Sequence, residues 1–156
     1  MIRAIAPDDT TALLALAEAT GLFQPENIEE LAQILAAHFD DASDSSGIWL
    51  TDDDNDLVAI AYFAPERMTE GTWNLYLIAI HPKYQRQGRG AALLAHIEKM
   101  LIEQGERILL VETSGLEGFD YVRDFYRKNG FEEEARIRDF YQAGDDKIVF
   151  RKVLKV

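Results

Sequence analysis

With 156 residues, 47% of them hydrophobic and 28% charged, the chain has a globular balance and the length to bury a core, so one domain over residues 1–156 is expected. A formal net charge of −12 argues against general binding to nucleic acid or to an anionic membrane, both of which require a cationic surface. There is no cysteine, hence no disulfide framework, thiol nucleophile or thiolate metal site, and no apolar run near the about 18 residues of a transmembrane helix.

The N-terminal stretch MIRAIAPDDT lacks the apolar segment and cleavage site of a signal peptide, which makes a cytoplasmic location the expectation. MIRAIA reads as a short strand. Asp8 or Asp9 then stands in capping position for a helix through TTALLALAEAT, with Leu13, Leu14, Leu16 and Ala17 on its apolar side and Gly21 as the stop. A second helix is predicted from Pro25 through ENIEELAQILAAHF, with Ile28, Leu31, Ile34 and Leu35 at helical spacing. Gln24, before it, is not a favoured cap. DDASDSSG follows as a polar loop.

IWLTD and LVAIAYFAP read as two strands joined by the hairpin turn DDND. TWNLYLIAI, residues 72–80, is nearly continuously apolar, as a central strand covered on both faces would be. Helix AALLAHIEKMLIEQ follows and stops at Gly105, and RILLVET is the next strand. A strand–helix–strand unit of this length implies parallel pairing. After GLEGFD comes a helix, YVRDFYRKN, closed by Gly130. The strands FEEEARIRDFY and KIVFRKVL then meet at QAGDD as an antiparallel hairpin. The order βααβββαβαββ is that of a mixed α/β sheet with helices on both faces. Of the three histidines, His38 and His96 fall in predicted helices and His81 precedes a proline. None has a metal-ligand spacing, so no metal is expected and a solvated or partly buried histidine is the simpler reading.

The segment HPKYQRQGRGAALL, residues 81–94, concentrates positive charge and backbone freedom at a helix start in an acidic chain. A helix N-terminus offers unpaired N–H groups and about half a positive charge, so it binds phosphate. Gly88 and Gly90 let the backbone approach a ligand closely, and Arg86, Arg89 and Lys83 can add charge-assisted donors. A plain strand-to-helix turn with solvated basic residues is the competing reading. The Walker A pattern GxxxxGK[ST] is absent, and Leu93 stands where the third glycine of GxGxxG belongs. A different phosphate-bearing ligand is required.

IAIHPKYQRQGRGAALL resembles motif A of the GNAT superfamily of N-acetyltransferases, (Q/R)xxGx(G/A) after a central strand, with Gln85, Gly88 and Gly90 at the matching positions. FYRKNGF, residues 125–131, resembles that superfamily's later motif, and the order of elements fits over nearly the whole chain. GTWNLYLIAI and ARIRDFYQAGDDKIVF further resemble a bacterial-type subgroup. The resemblance implies a three-layer α/β fold: a mixed, mostly antiparallel sheet of about seven strands, helices on both faces, and a parallel pair that splays apart. It implies one acetyltransferase-like domain and acetyl-CoA as donor. The pyrophosphate would rest on the N–H groups of Arg86, Gln87, Gly88, Arg89, Gly90 and Ala91. The backbone of Ile78, Ala79 and Ile80 would meet the pantetheine arm.

Acetyl transfer from a thioester to an amine requires loss of a proton from the amine, stabilisation of the oxyanion and protonation of the departing thiolate. A backbone N–H near Ile80 is the natural oxyanion donor. Tyr126 matches the superfamily's general acid, and a phenol with pKa near 10 is protonated at neutral pH; a tyrosine that only packs is the alternative. Several members place a carboxylate six residues before the last hydrophobic position of the central strand. Counting back from Ile80 gives Asn74, which cannot take a proton there. Glu112, at the end of the next strand, is the nearest alternative base, or else a solvent-facing charge. Tyr76 lines the acceptor side or serves as a packing platform. Arg123 meets a CoA phosphate or pairs with an acid on its own helix, the latter being favoured.

The leading expectation is an acetyl-CoA-dependent N-acetyltransferase acting on a primary amine of a small molecule by direct attack in a ternary complex. Asn74 motivates the alternative of a non-catalytic acyl-CoA-binding or sensing module, and a protein N-acetyltransferase is the third reading. The aromatic-rich last hairpin could supply a homodimer interface.

Overall fold

The computed structural model describes residues 1–40 and 47–155; within the expected DDASDSSG loop, positions 41–46 lie outside these. Seven strands are hydrogen-bonded in the order β1-β2-β3-β4-β5-β7-β6. They are β1 (Ile2–Ala4), β2 (Ile48–Asp54), β3 (Asp56–Pro65), β4 (Thr72–Ile80), β5 (Ile108–Ser114), β6 (Glu132–Gln142) and β7 (Asp145–Val153), with helices α1 (Thr10–Ala19), α2 (Pro25–Phe39), α3 (Arg89–Glu103) and α4 (Asp120–Lys128). β4 and β5 are parallel, pairing Thr72 with Ile108 through Leu75 with Val111, while β1–β2, β2–β3, β5–β7 and β6–β7 are antiparallel. The mixed sheet expected from the element order is therefore present. Among the described residues, no helix is long and apolar enough to cross a membrane.

The chain forms two compact units, one of Met1–Ala64 with Leu77–His96, the other of Pro65–Tyr76 with Ile97–Val156. In the first, Leu13, Leu16 and Ala17 of α1 and Leu31 and Leu35 of α2 pack with Trp49, Ile60 and Ala79. Leu14 and Ile28 are only partly buried against this core. Ile34, expected on the same face, is 44% exposed, because the inward stripe of α2 narrows to positions 31 and 35. Asp9 opens α1 without a side-chain cap bond. Its carboxylate instead takes the Ala6 N–H (2.7 Å) and both nitrogens of the Arg3 fork (2.8 and 3.0 Å). Arg3 thereby holds the Asp9 carboxyl below its ordinary pKa, against the opposing effect of burial. At α2 the missing cap is supplied from within the helix: Asn27 Oδ1 accepts the Gln24 N–H at 3.2 Å. Asn55 (φ 68) makes the β2–β3 turn in the left-handed region that asparagine tolerates.

Continuous burial falls on β3, where Val58 to Ala61 are all fully buried, rather than on β4. In β4, Trp73, Asn74 and Leu75 are buried but Tyr76 is 52% exposed. A tyrosine tolerates that position because its hydroxyl finds a polar partner, described below. In the second unit, Leu109 and Val111 of β5 and Ile148 and Phe150 of β7 alternate inward with strand period. Gly130 (φ 89) ends α4 as expected and lets Phe131 N–H donate to Tyr126 O at 3.0 Å. The Tyr126 ring then lies 5.4–5.7 Å from those of Phe125, Phe131 and Phe150.

Candidate functional site

The turn after β4 belongs to the first unit. His81 starts a single 3-10 turn, Pro82–Tyr84, its Nδ1 accepting the Lys83 N–H at 3.1 Å. Gln85 Nε2 donates to the Ile80 carbonyl at 3.0 Å, so the glutamine of the motif ties the loop back to the end of its strand. Arg86 (φ 62) and Gly88 (φ 79) are both left-handed, with Gln87 between them. Alternating handedness turns successive N–H groups toward one side, a concavity that suits an anion. Ala92 N–H donates to Gly88 O at 3.0 Å, opening the α3 ladder, so the N–H groups of Arg89, Gly90 and Ala91 precede it. Among the described residues, nothing lies within 4 Å of where a Cβ on Gly88 would stand. The backbone at Arg86–Ala91 thus has the donors, the curvature and the open space that a pyrophosphate requires.

α3 begins at Arg89, two residues before its expected start. The Arg89 guanidinium does not extend toward the loop's concavity as a spare phosphate donor: it binds Asp52 (3.2 Å) and Asp54 (2.6 Å) and lies over the Tyr84 ring. The aspartates of the β2–β3 turn gather negative charge there, and Arg89 answers it, holding the Asp54 carboxyl below its ordinary pKa. Lys83 lines a separate small cavity with Asp56, Leu57, His81 and Tyr84. Of the strand residues expected beside a pantetheine arm, Ala79 is buried in the core and Ile78 and Ile80 are half-buried.

The remaining candidates lie in the second unit. Asn74 is 3% exposed, and its Nδ2 donates to Glu66 Oε1 (3.0 Å) and Glu112 Oε2 (3.4 Å). Tyr76 donates its hydroxyl to the same Glu66 Oε1 at 2.6 Å. Lys147 Nζ stands 3.2 Å from Glu112 Oε2, and over the Phe140 ring at 4.1 Å. Burial, aided by the charges of Glu112 and Asp145, pushes the Tyr141 phenol up, which places Tyr141 in the field of the same carboxylate. The structure thus gathers Asn74, Tyr76 and Glu112, three candidates from the sequence, into one cluster and adds Glu66.

Glu66 escaped sequence reasoning. It lies on the β3–β4 connection, where its N–H donates to Thr72 O (2.8 Å), and it reaches Asn74 only through the fold of that connection. No motif or periodicity marks it; a hairpin register between β3 and β4 would have been the one usable signal. Tyr126 is 4% exposed, and burial raises its pKa far above that of an ordinary phenol. Arg123 is buried and pairs with Asp120 on its own helix, as favoured. It also donates to the carbonyls of Ser114 (2.6 Å) and Leu116 (2.9 Å), fastening α4 to the end of β5.

An acetyltransferase (GNAT) domain model matches residues 44–133. The chain is 33% identical over 86 residues to the [ribosomal protein bS18]-alanine N-acetyltransferase of Escherichia coli K12. That match covers 55% of this chain and 57% of the relative, so it spans little more than half the length of the curated protein. A crystal structure of a GNAT-family acetyltransferase from Desulfovibrio desulfuricans is 34% identical, with a TM-score of 0.92 over 99% of both chains. The PaiA N-acetyltransferase of Thermoplasma acidophilum, solved with coenzyme A, has a TM-score of 0.74 at 20% identity, covering 98% of each chain, a likeness of fold.

Proposed function

Because the chain belongs to the GNAT acetyltransferase family, we propose that it is an acetyl-CoA-dependent N-acetyltransferase acting on a primary amine of a small molecule, in a ternary complex. The observation that carries this reading is the loop at 85–91: Gln85 tied to the Ile80 carbonyl, left-handed backbone at Arg86 and Gly88, and a helix start behind them. The family match runs through parts of both compact units, which supports reading residues 1–156 as one acetyltransferase domain.

Acetyl-CoA supplies the acyl group as a thioester. The N–H groups of Arg86 to Ala91 hold its pyrophosphate, and the backbone of Ile78 to Ile80 orients the arm. Burial raises the pKa of the Tyr126 phenol, which is therefore protonated at neutral pH, and in this reading the phenol donates its proton to the departing thiolate. Glu112 removes the proton of the acceptor amine. Lys147 and Asn74 both contact Glu112 Oε2, which orients the carboxylate. Asn74 itself has no proton-accepting chemistry at neutral pH.

A second reading, a protein N-acetyltransferase, is favoured by the name of the Escherichia coli relative. Acetyl-CoA consumption measured against a panel of small amines and alanine-led peptides separates the two. Turnover on small amines only supports the first reading, and turnover on peptides only replaces it. Tyr126→Phe keeps the ring packing and removes the donor, so kcat should fall by about 10²–10⁴ while calorimetric acetyl-CoA affinity stays within about twofold. A kcat within a factor of about two of wild type would reject the acid role. Acetyl-CoA binding without turnover on any acceptor would leave a sensing module as the better account. A homodimer through the β6–β7 hairpin is also proposed, on its exposed Ile137, Phe140 and Tyr141, and sedimentation would test it.

A further inference from the structure

The cluster around Asn74 sets two carboxylates, Glu66 and Glu112, beside one ammonium, that of Lys147. Its donors are the Tyr76 hydroxyl, the Asn74 amide NH2 and the Lys147 ammonium, and they all fall on Oε1 of Glu66 and Oε2 of Glu112. Those contacts engage one oxygen of each carboxylate. Independently of the carboxylates, Asn74 Oδ1 is buried and has no hydrogen-bond partner among the described residues. An acceptor left in that state costs about 1–3 kcal/mol. Exchanging the amide's oxygen and nitrogen offers no relief, because Oδ1 would then face two carboxylates. Among the described residues, two carboxylates and an unpartnered carbonyl oxygen stand against one ammonium, and a second ammonium would supply the missing positive charge.

The two bonded carboxylate oxygens lie 3.0 and 3.4 Å from a single nitrogen, so they are no more than 6.4 Å apart. A diamine on a spacer of up to roughly four methylenes falls within that limit. The half-exposed Tyr76 ring stands beside Glu66, to which its hydroxyl donates.

Resting on the reading of this cluster as the acceptor end of an acetyltransferase, we propose that Glu66 is a specificity residue that binds a second ammonium of the acceptor, so that the preferred substrates are short diamines or polyamines. Glu112 faces the reacting nitrogen and Glu66 the remote one. The remote ammonium then contributes binding without entering the chemistry, and it should appear in KM rather than in kcat.

The test is steady-state kinetics on wild type, Glu66→Gln, Glu66→Asp and Glu112→Gln with butylamine, 1,4-diaminobutane and spermidine. Wild type should favour the diamine over butylamine at least about tenfold in kcat/KM. Glu66→Gln retains an acceptor oxygen for Tyr76 and Asn74, so it keeps the local bonds and loses only the charge. It should raise KM for 1,4-diaminobutane and spermidine about tenfold, with kcat within about twofold and butylamine kinetics unchanged. Glu66→Asp, should the glutamine variant fold poorly, keeps the charge and should retain part of the preference. Glu112→Gln should lower kcat on all three acceptors. Equal losses on butylamine and diamine in Glu66→Gln would make Glu66 a structural clasp and overturn the proposal. Wild-type turnover with no diamine preference would also overturn it, while leaving the acetyltransferase reading intact. Turnover on none of the amines would end both.

Discussion

Replacing Asn74 by aspartate tests the electrostatic logic of the cluster. The amide nitrogen donates to Glu66 at 3.0 Å and Glu112 at 3.4 Å in a side chain that is almost wholly buried. An ionised carboxylate at the same place would meet two like charges at that range, each repelling it by about 4 kcal/mol or more at an effective dielectric near 20. Lys147, 3.2 Å from Glu112, offsets one of these in part. The cluster has a cheaper escape, which is to take up a proton. Holding a carboxyl of ordinary pKa near 3.9 protonated at pH 7 costs about 4 kcal/mol. That sets a ceiling on the destabilisation of Asn74→Asp, shared among the three carboxyls as a coupled titration. The sign follows from the raised folded pKa: no penalty below the unfolded value near 3.9, and stability lost as pH rises above it, at about 1.4 kcal/mol per pH unit. Urea unfolding of wild type, Asn74→Asp and Asn74→Ala at about pH 4.5 and 7 would read this. The Asn74→Asp variant should approach Asn74→Ala at the lower pH and fall below it at the higher. A pH-independent difference, or an Asn74→Asp variant as stable as wild type at neutral pH, would refute the reasoning. The same protonation would keep the introduced carboxyl from acting as a base, so kcat at neutral pH should not rise.

Two further outcomes follow from the first compact unit. Gly88→Val places a branched side chain at φ 79, where an L residue is strained, with no atom of the described residues within 4 Å of its Cβ, and calorimetry on a variant shown by circular dichroism to be folded should show acetyl-CoA affinity reduced more than about tenfold, roughly 1.4 kcal/mol; unchanged affinity would move the anion site elsewhere. Arg3→Gln removes the fork that holds the Asp9 carboxyl low, so it should cost about 1 kcal/mol above about pH 4 and progressively less as pH falls below that, because a depressed carboxyl lends stability that is lost as pH falls through its folded pKa; a cost that does not shrink with falling pH would mean Arg3 acts through packing alone.

Much of the framework was legible because it depends on local chemistry. The stops at Gly105 and Gly130, the hairpin at Asn55, the helix after Gly88 and the parallel β4–β5 pair each follow from a residue or run whose backbone preference acts over a few positions. The features that the sequence left unmarked share the opposite property. Ile34 sits at helical spacing yet faces out, since which turn of an amphipathic stripe meets the core depends on the partner. Arg89 stands in a basic loop yet binds aspartates from a hairpin 35 and 37 residues away in sequence. Glu66 is one of 28 acidic residues, and only the fold of the connection that brings it to Asn74 and Tyr76 sets it apart from the rest.

The Phe-Tyr and Gly-Phe pairs of FYRKNGF show why Tyr126 carried a motif while Glu112, the proposed base, was named only as the nearest acid to Asn74. Gly130 turns the chain so that Phe131 N–H meets Tyr126 O, and the rings of Phe125, Phe131 and Phe150 enclose the phenol. The residues that make the motif conspicuous therefore also bury the tyrosine and raise its pKa. Packing and chemistry are written in the same short segment. The proposed base, Glu112, is instead met by donors distant in sequence, Lys147 and the Asn74 amide, rather than by an apolar shell. Long-range donors leave no local mark, and the position where a carboxylate was sought holds an amide because two carboxylates already flank it.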